Sequence, residues 1–253
     1  MRCLTKIFVL LLTAVLTLSS FTVPALADVT RVRDTGDGSV EVRWDDNNPD
    51  ALVLVPKVSN SFDKDLETYG SISFNPTSYG SMTLYYMAPG QSYWVAMRDS
   101  KGNLTNAYAY NPGRAAKFSE FRTQPSISNW QLKEKRGSGK PTNLASLLAK
   151  ELENPSDNVS FGVGFQYHYP QLAKERRYFG QIVITDPDDI KYVDYAFEEV
   201  LPAGRTYAYV DFYTLDEYFD HLTNSRGYVP VGEYTFALYW DGMLVCSVTF
   251  RVR

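Results

Sequence analysis

Short runs that alternate apolar and polar residues, separated by turn-forming clusters, fill the chain from residue 28 onward. Val29 to Val32 is the first. Ser39-Val40-Glu41-Val42-Arg43-Trp44 has the period-2 pattern of a half-buried strand, entered through the turn Asp37-Gly38. Ala51 to Val58 is a mostly apolar run whose Pro56 marks an edge or a strand end. Ser81 to Met87 and Tyr93 to Met97 flank Ala88-Pro89-Gly90, and Ser100-Lys101-Gly102-Asn103 forms a further turn. Tyr108 and Tyr110 alternate, and Phe118 and Phe121 mark a last strand. With no helical period between them, these runs predict a β-sandwich over 28–123.

Residues 124–158 break this rhythm and predict a linker. Asn129-Trp130-Gln131-Leu132-Lys133 alternates as a first strand, and Pro141 to Asn154 places Leu144, Leu147, Leu148 and Leu152 on one face of a short amphipathic helix. Thr142 or Asn143 caps its start and Pro155 follows its end. The strand pattern then returns over 159–253. Phe161, Val163, Phe165, Tyr167 and Tyr169 fall on one face, and strands follow at Gln181 to Thr185, Ile190 to Phe197 and Arg205 to Tyr213. Leu215, Tyr218, Phe219 and Leu222 have helical spacing, with Thr214 and Glu217 spaced as a capping box, which predicts a helix near 214–224. Glu233 to Trp240 and Met243 to Val252 form a hairpin around Asp241-Gly242.

Met87-Ala88-Pro89-Gly90-Gln91-Ser92-Tyr93 matches the Leu-x-Pro-Gly-x-x-Tyr turn of fibronectin type III domains, with Met for Leu, and Trp44 stands at that family's core tryptophan position. The segment 28–123 therefore resembles a fibronectin type III domain. The resemblance implies a sandwich in which the Tyr93 hydroxyl bonds back to the backbone at a corner. Lys57 to Gly80 departs from the family pattern, and the Arg-Gly-Asp motif that would imply integrin binding is absent. Leu201-x-x-Gly204-x-x-Tyr207 echoes the corner spacing. The final run from Pro230 to Gly242 is similar to the last hairpin of immunoglobulin-like modules in bacterial surface proteins. The fold class that follows is all-β: two tandem sandwiches, fibronectin type III-like then Ig-like, with two short helices in the second half.

The first 27 residues follow a different logic. Arg2 and Lys6 precede an apolar run from Ile7 to Leu18, and Pro24-Ala25-Leu26-Ala27 supplies a cleavage site, the three-part pattern of a secretory signal peptide. The run is shorter than the roughly 20 residues a spanning helix needs, and no second apolar stretch follows. Cleavage after Ala27 removes two positive charges, no acid, and Cys3, one of the two cysteines. Cys246, in a strand-like run, is expected to be a small buried hydrophobe. A net charge of −4 and a pI near 5.3 argue against a nucleic-acid partner.

Candidate chemistry is sparse. There is no G-x-S-x-G, H-E-x-x-H, phosphate loop or G-x-G-x-x-G. His168 is expected on the surface or a sheet edge, and His221 on the solvated side of its helix. Two acidic loops, Asp45-Asp46-Asn47-Asn48 with Asp50, and Asp186 with Asp188 and Asp189, lack EF-hand spacing and suit solvated turns. Asn103-Leu104-Thr105 and Asn158-Val159-Ser160 are glycosylation sequons. The aromatics (19 Tyr, 14 Phe, 4 Trp) exceed what composition requires. One member each of Tyr85-Tyr86, Tyr93-Trp94 and Tyr239-Trp240 is a candidate for an exposed binding face. No catalytic, cofactor or metal residue is singled out, and nothing in the sequence sets the oligomeric state. The expectation is a secreted, non-enzymatic binding or adhesion protein for an extracellular protein or carbohydrate. The alternatives are a structural or assembly component and, third, a small hydrolase or its ancillary module.

Overall fold

The computed structural model describes residues 28–36, 38–45, 49–76, 79–112, 125–154 and 158–253. The signal-peptide reading, and the strand expected at Phe118 and Phe121, lie outside them. Alternation in the sequence becomes four antiparallel sheets. In the first half, β1 (Val29–Asp34), β2 (Val40–Trp44) and β5 (Ser81–Leu84) form one sheet in the order β1-β2-β5. β3 (Ala51–Pro56), β4 (Ile72–Phe74), β6 (Tyr93–Arg98) and β7 (Tyr108–Tyr110) form the second, in the order β4-β3-β6-β7. Val40, Val42 and Trp44 from one sheet and Leu52, Leu54, Val95 and Met97 from the other close a common core. The Ala88 N–H donates to the Tyr93 hydroxyl at 3.0 Å, which is the expected tyrosine corner.

One helix was missed in this half. α1 (Phe62–Tyr69) covers the outer face of β3, with Phe62 edge-on to Trp94. Ser61 caps it through Lys64 N–H, two acids stand in its first turn, and Gly70 ends it. Asp65 is buried yet accepts hydrogen bonds from Trp94 Nε1 (2.9 Å) and the N–H groups of Val58 and Ser59. Burial works against its charge, but these donors hold its carboxyl below the usual range.

The second half corrects the expected boundaries. β8 (Ser126–Arg136) pairs along β10 (Val159–His168), and β9 (Thr142–Leu144) pairs with β8. With β13 (Tyr207–Thr214) they form a sheet in the order β13-β10-β8-β9, so much of 124–158 is structural framework of the second sandwich and no free linker. The expected helix over 141–154 shrinks to α2 (Ala149–Glu153). Leu144 is spent on pairing with Leu132, and Leu147 exchanges backbone hydrogen bonds with Arg251 and Arg253, so long-range pairing overrides the local leucine stripe. Leu148 is exposed.

The fourth sheet joins β11 (Arg176–Thr185), β12 (Lys191–Leu201), β14 (Gly232–Trp240) and β15 (Met243–Val252) in the order β12-β11-β14-β15. Its hairpin turns at Asp241-Gly242, both with positive φ, as a type I′ turn demands. Phe161, Val163, Phe165, Tyr167 and Tyr169 face it in one core with Ile182, Ile184, Phe236 and Trp240. α3 (Asp216–Arg226) buries Tyr218, Phe219 and Leu222 against this core. The capping box does not form as spaced. Leu215 takes the cap position, Thr214 Oγ1 accepts from Asp216 N–H, and the Asp216 carboxylate accepts from Phe161 N–H at 2.9 Å, which ties the helix to β10.

The fourth sheet is buried on both faces. Val183, Val193, Ala237 and Tyr239 point away from its own sandwich into the core of the first. The corner loop of the first sandwich docks there. Gln181, fully buried, donates to Tyr85 O (2.8 Å) and Met87 O, Lys191 N–H donates to Gln91 Oε1, and Tyr85 packs on Phe179. Gly38 lies so close to the Asp241-Gly242 turn that a Cβ there would meet Gly242 N at 2.7 Å.

Candidate functional site

The residues singled out from sequence are mostly absorbed by packing. Trp44 and Cys246 are buried, and burial pushes the Cys246 thiol up to about 12. Tyr239 and Trp240 are both buried because their sheet has two covered faces. Trp94 is held by Asp65 and Phe62 with Lys57 Nζ 4.8 Å above its ring, and Tyr85 rests on Phe179. The expected exposed members of these pairs therefore do not make a shared platform. The Leu201–Tyr207 echo is no tyrosine corner, since Tyr207 is exposed.

His168 sits on β10, a central strand, with Nε2 2.7 Å from Ser128 Oγ. It is partly covered and not at a sheet edge. His221 is corrected from solvated to largely buried. Its Nε2 has no partner, its ring meets Tyr192 edge-on at 5.2 Å, and burial followed by Arg226 holds its pKa below the ordinary value.

The Asp186 loop is an ion-pair knot. Asp186 Oδ1 accepts from the N–H groups of Asp188 and Ile190, and Arg226, buried, reaches Asp186 Oδ2 at 2.7 Å and Asp188 Oδ2 at 2.9 Å. Asp186 and Asp188 thus have a partner inside the chain. Among the described residues no group of His, Cys, Asp and Glu is arranged to hold a metal. The other acidic loop lies partly outside the described residues, and Asp45 accepts from Asp28 N–H.

The remaining site was not foreseen. Between β12, at one end of its sheet, and β13, at one end of the facing sheet, the second sandwich opens into a groove of about 180 Å³. Phe165 and Tyr167 line it from β10, Tyr195, Phe197 and Glu199 from β12, and Val210 and Tyr213 from β13. Tyr195 and Phe197 stack at 5.6 Å with 15° between their planes, and Tyr195 is 51% exposed. Phe197 lies flat because its partner across the ladder is Gly180, where a Cβ would come within 2.6 Å of the ring.

One carboxyl, Glu199, lines this groove, and a second, Asp194, is hydrogen-bonded to the lining residue Tyr213. The ladder pairs Val183 with Val193 and Ile182 with Tyr195, so Asp194 is the extra residue of a β-bulge. The bulge turns Asp194 to β13, where the Tyr213 hydroxyl donates to it at 2.6 Å. Glu199 accepts from the Tyr167 hydroxyl at 2.9 Å. Burial raises both carboxyls against these tyrosine hydrogen bonds, Asp194 to about 6. The nearby carboxylate of Glu217 adds to the rise at Asp194. Among the described residues neither has a basic partner. The only sequence signal was three acids, Asp194, Glu198 and Glu199, in a largely apolar and aromatic strand.

No protein-family model matches the chain, and no curated protein matches it. Among solved structures it is similar to the chicken CNTN1 FN1-FN3 domains, at 10% identity and a TM-score of 0.24, over 89% of this chain and 66% of that one. A likeness this low carries no argument about site or partner. The all-β, two-sandwich architecture rests on the sheets themselves.

Proposed function

We propose that this chain is a secreted, non-enzymatic binding protein that takes an extracellular ligand in the groove between β12 and β13. The observation that carries the reading is the groove itself, an aromatic mouth open between the end strands of two facing sheets. Secretion is supported by the signal-like first 27 residues. The hydrolase alternative fares poorly on geometry. Asp194 and Glu199 are separated along one strand by a rise of about 16 Å. Side chains standing off a strand keep roughly that spacing, whereas paired glycosidase carboxyls lie about 5–9.5 Å apart.

The test has two parts. Mass spectrometry of the exported protein is expected to show cleavage after Ala27. The purified chain is then screened against matrix proteins, cell-wall material and glycans, beside a Tyr195→Ala/Phe197→Ala variant. Binding that the variant abolishes supports the reading. A panel with no binder, or binding the variant leaves intact, overturns it.

A second reading, assembly through strand edges, is favoured by the long unpaired side of β12. A monomer at all concentrations in light scattering would remove it.

A further inference from the structure

We propose that the groove receives a single basic side chain, lysine or arginine, presented by an extended segment of a partner polypeptide. This rests on the groove being the binding site and names what it binds.

Size is the first argument. The groove measures about 180 Å³, below the roughly 300–1,000 Å³ of pockets that engulf a whole small molecule. It accommodates one side chain.

The walls are the second. The stacked rings of Tyr195 and Phe197, with Tyr213 facing them across the mouth, present aromatic surface of the kind that attracts a cation.

Charge is the third and strongest. Asp65 is answered by three N–H donors and Asp186 by Arg226 and two backbone donors. Glu199, in the groove lining, receives one tyrosine hydroxyl. A carboxylate accepts at about four lone-pair sites, so acceptor capacity in the groove exceeds its donors. A ligand bringing N–H donors and positive charge completes Glu199. A sugar ring, which must also find donors for its own oxygens, finds three tyrosine hydroxyls, of which those of Tyr167 and Tyr213 are already committed.

The polypeptide follows from the flanks. β12 and β13 each end a sheet, so an extended segment can pair its main chain with either edge while one side chain enters the mouth.

The experiment titrates the full chain with three capped pentapeptides identical except for a central lysine, norleucine or glutamate, and with a set of neutral oligosaccharides. The lysine peptide is expected to bind at least about tenfold more tightly than the norleucine peptide, with no binding of the glutamate peptide. A Glu199→Gln variant, shown folded by circular dichroism, is expected to lose that preference while keeping the weak norleucine affinity. Equal lysine and norleucine affinities, both lost in Tyr195→Ala/Phe197→Ala, overturn the basic side chain but leave the groove as a binding site. Oligosaccharide binding without peptide binding does the same in favour of glycans. If neither peptides nor oligosaccharides bind, and the screening panel also yields no binder, the basic side chain and the groove fall together.

Discussion

Asp186 and Asp194 flank the start of β12 and meet opposite fates. The first is wholly enclosed and fully answered, by Arg226 and by the N–H groups of Asp188 and Ile190. The second is lifted off its ladder by a bulge and meets one phenolic hydroxyl beside an open groove. The first arrangement fastens the 186–190 loop to α3 through an internal ion pair. The second, less enclosed, has one donor from the fold and no basic partner among the described residues.

The largest effect is expected at the closed knot. Arg226→Met strands Asp186 as a buried charge and is expected to cost about 3–5 kcal/mol in urea unfolding, much of it recovered by adding Asp186→Asn. At the groove the sign reverses. Asp194→Asn is expected to stabilise the protein by about 1 kcal/mol at pH 7, because the folded carboxyl sits near 6 against an ordinary 3.8. The same difference predicts a slope. A raised carboxyl binds its proton more readily folded than unfolded, so stability declines as pH rises from 3.8 to about 6 and then levels. Urea midpoints across that window are expected to show this slope in the native chain and a shallower one in Asp194→Asn, where Glu199 and Asp186, raised in the same direction, keep part of it.

His221 contributes a smaller and opposite slope. Its folded pKa lies below the ordinary 6.5, so stability is expected to fall as pH drops below about 6.5, where the unfolded ring takes up a proton first. His221→Phe, which keeps an aromatic ring against Tyr192, is expected to remove that fall with a change under about 1 kcal/mol. The least is expected from Glu199→Gln, within about 0.5 kcal/mol, since Gln retains an acceptor for the Tyr167 hydroxyl.

Sequence made the strands legible wherever one face is buried and the other is not. The alternation over Phe161 to Tyr169, the Asp241-Gly242 hairpin and the Tyr93 corner are all present. It failed where partners lie far away in the chain. Leu144 and Leu147 have helical spacing, but Leu132 and the C-terminal strand claim them. α1 carried its signals in Ser61, Asp63, Asp65 and Gly70, yet its mostly polar composition hid them. The groove was illegible for a plainer reason. Its lining comes from β10, β11, β12, β13 and β14, and no local pattern brings these five strands together.

The doubly covered fourth sheet has a consequence for how such a molecule is inherited. Freed of its neighbour, the second sandwich would present Val183, Val193, Ala237 and Tyr239 to water, together with a Gln181 amide shaped to fit one particular loop. Recombination that swaps one sandwich for an unrelated one would leave this scar. The two halves are thus a single heritable cassette, to be duplicated, truncated or grafted together.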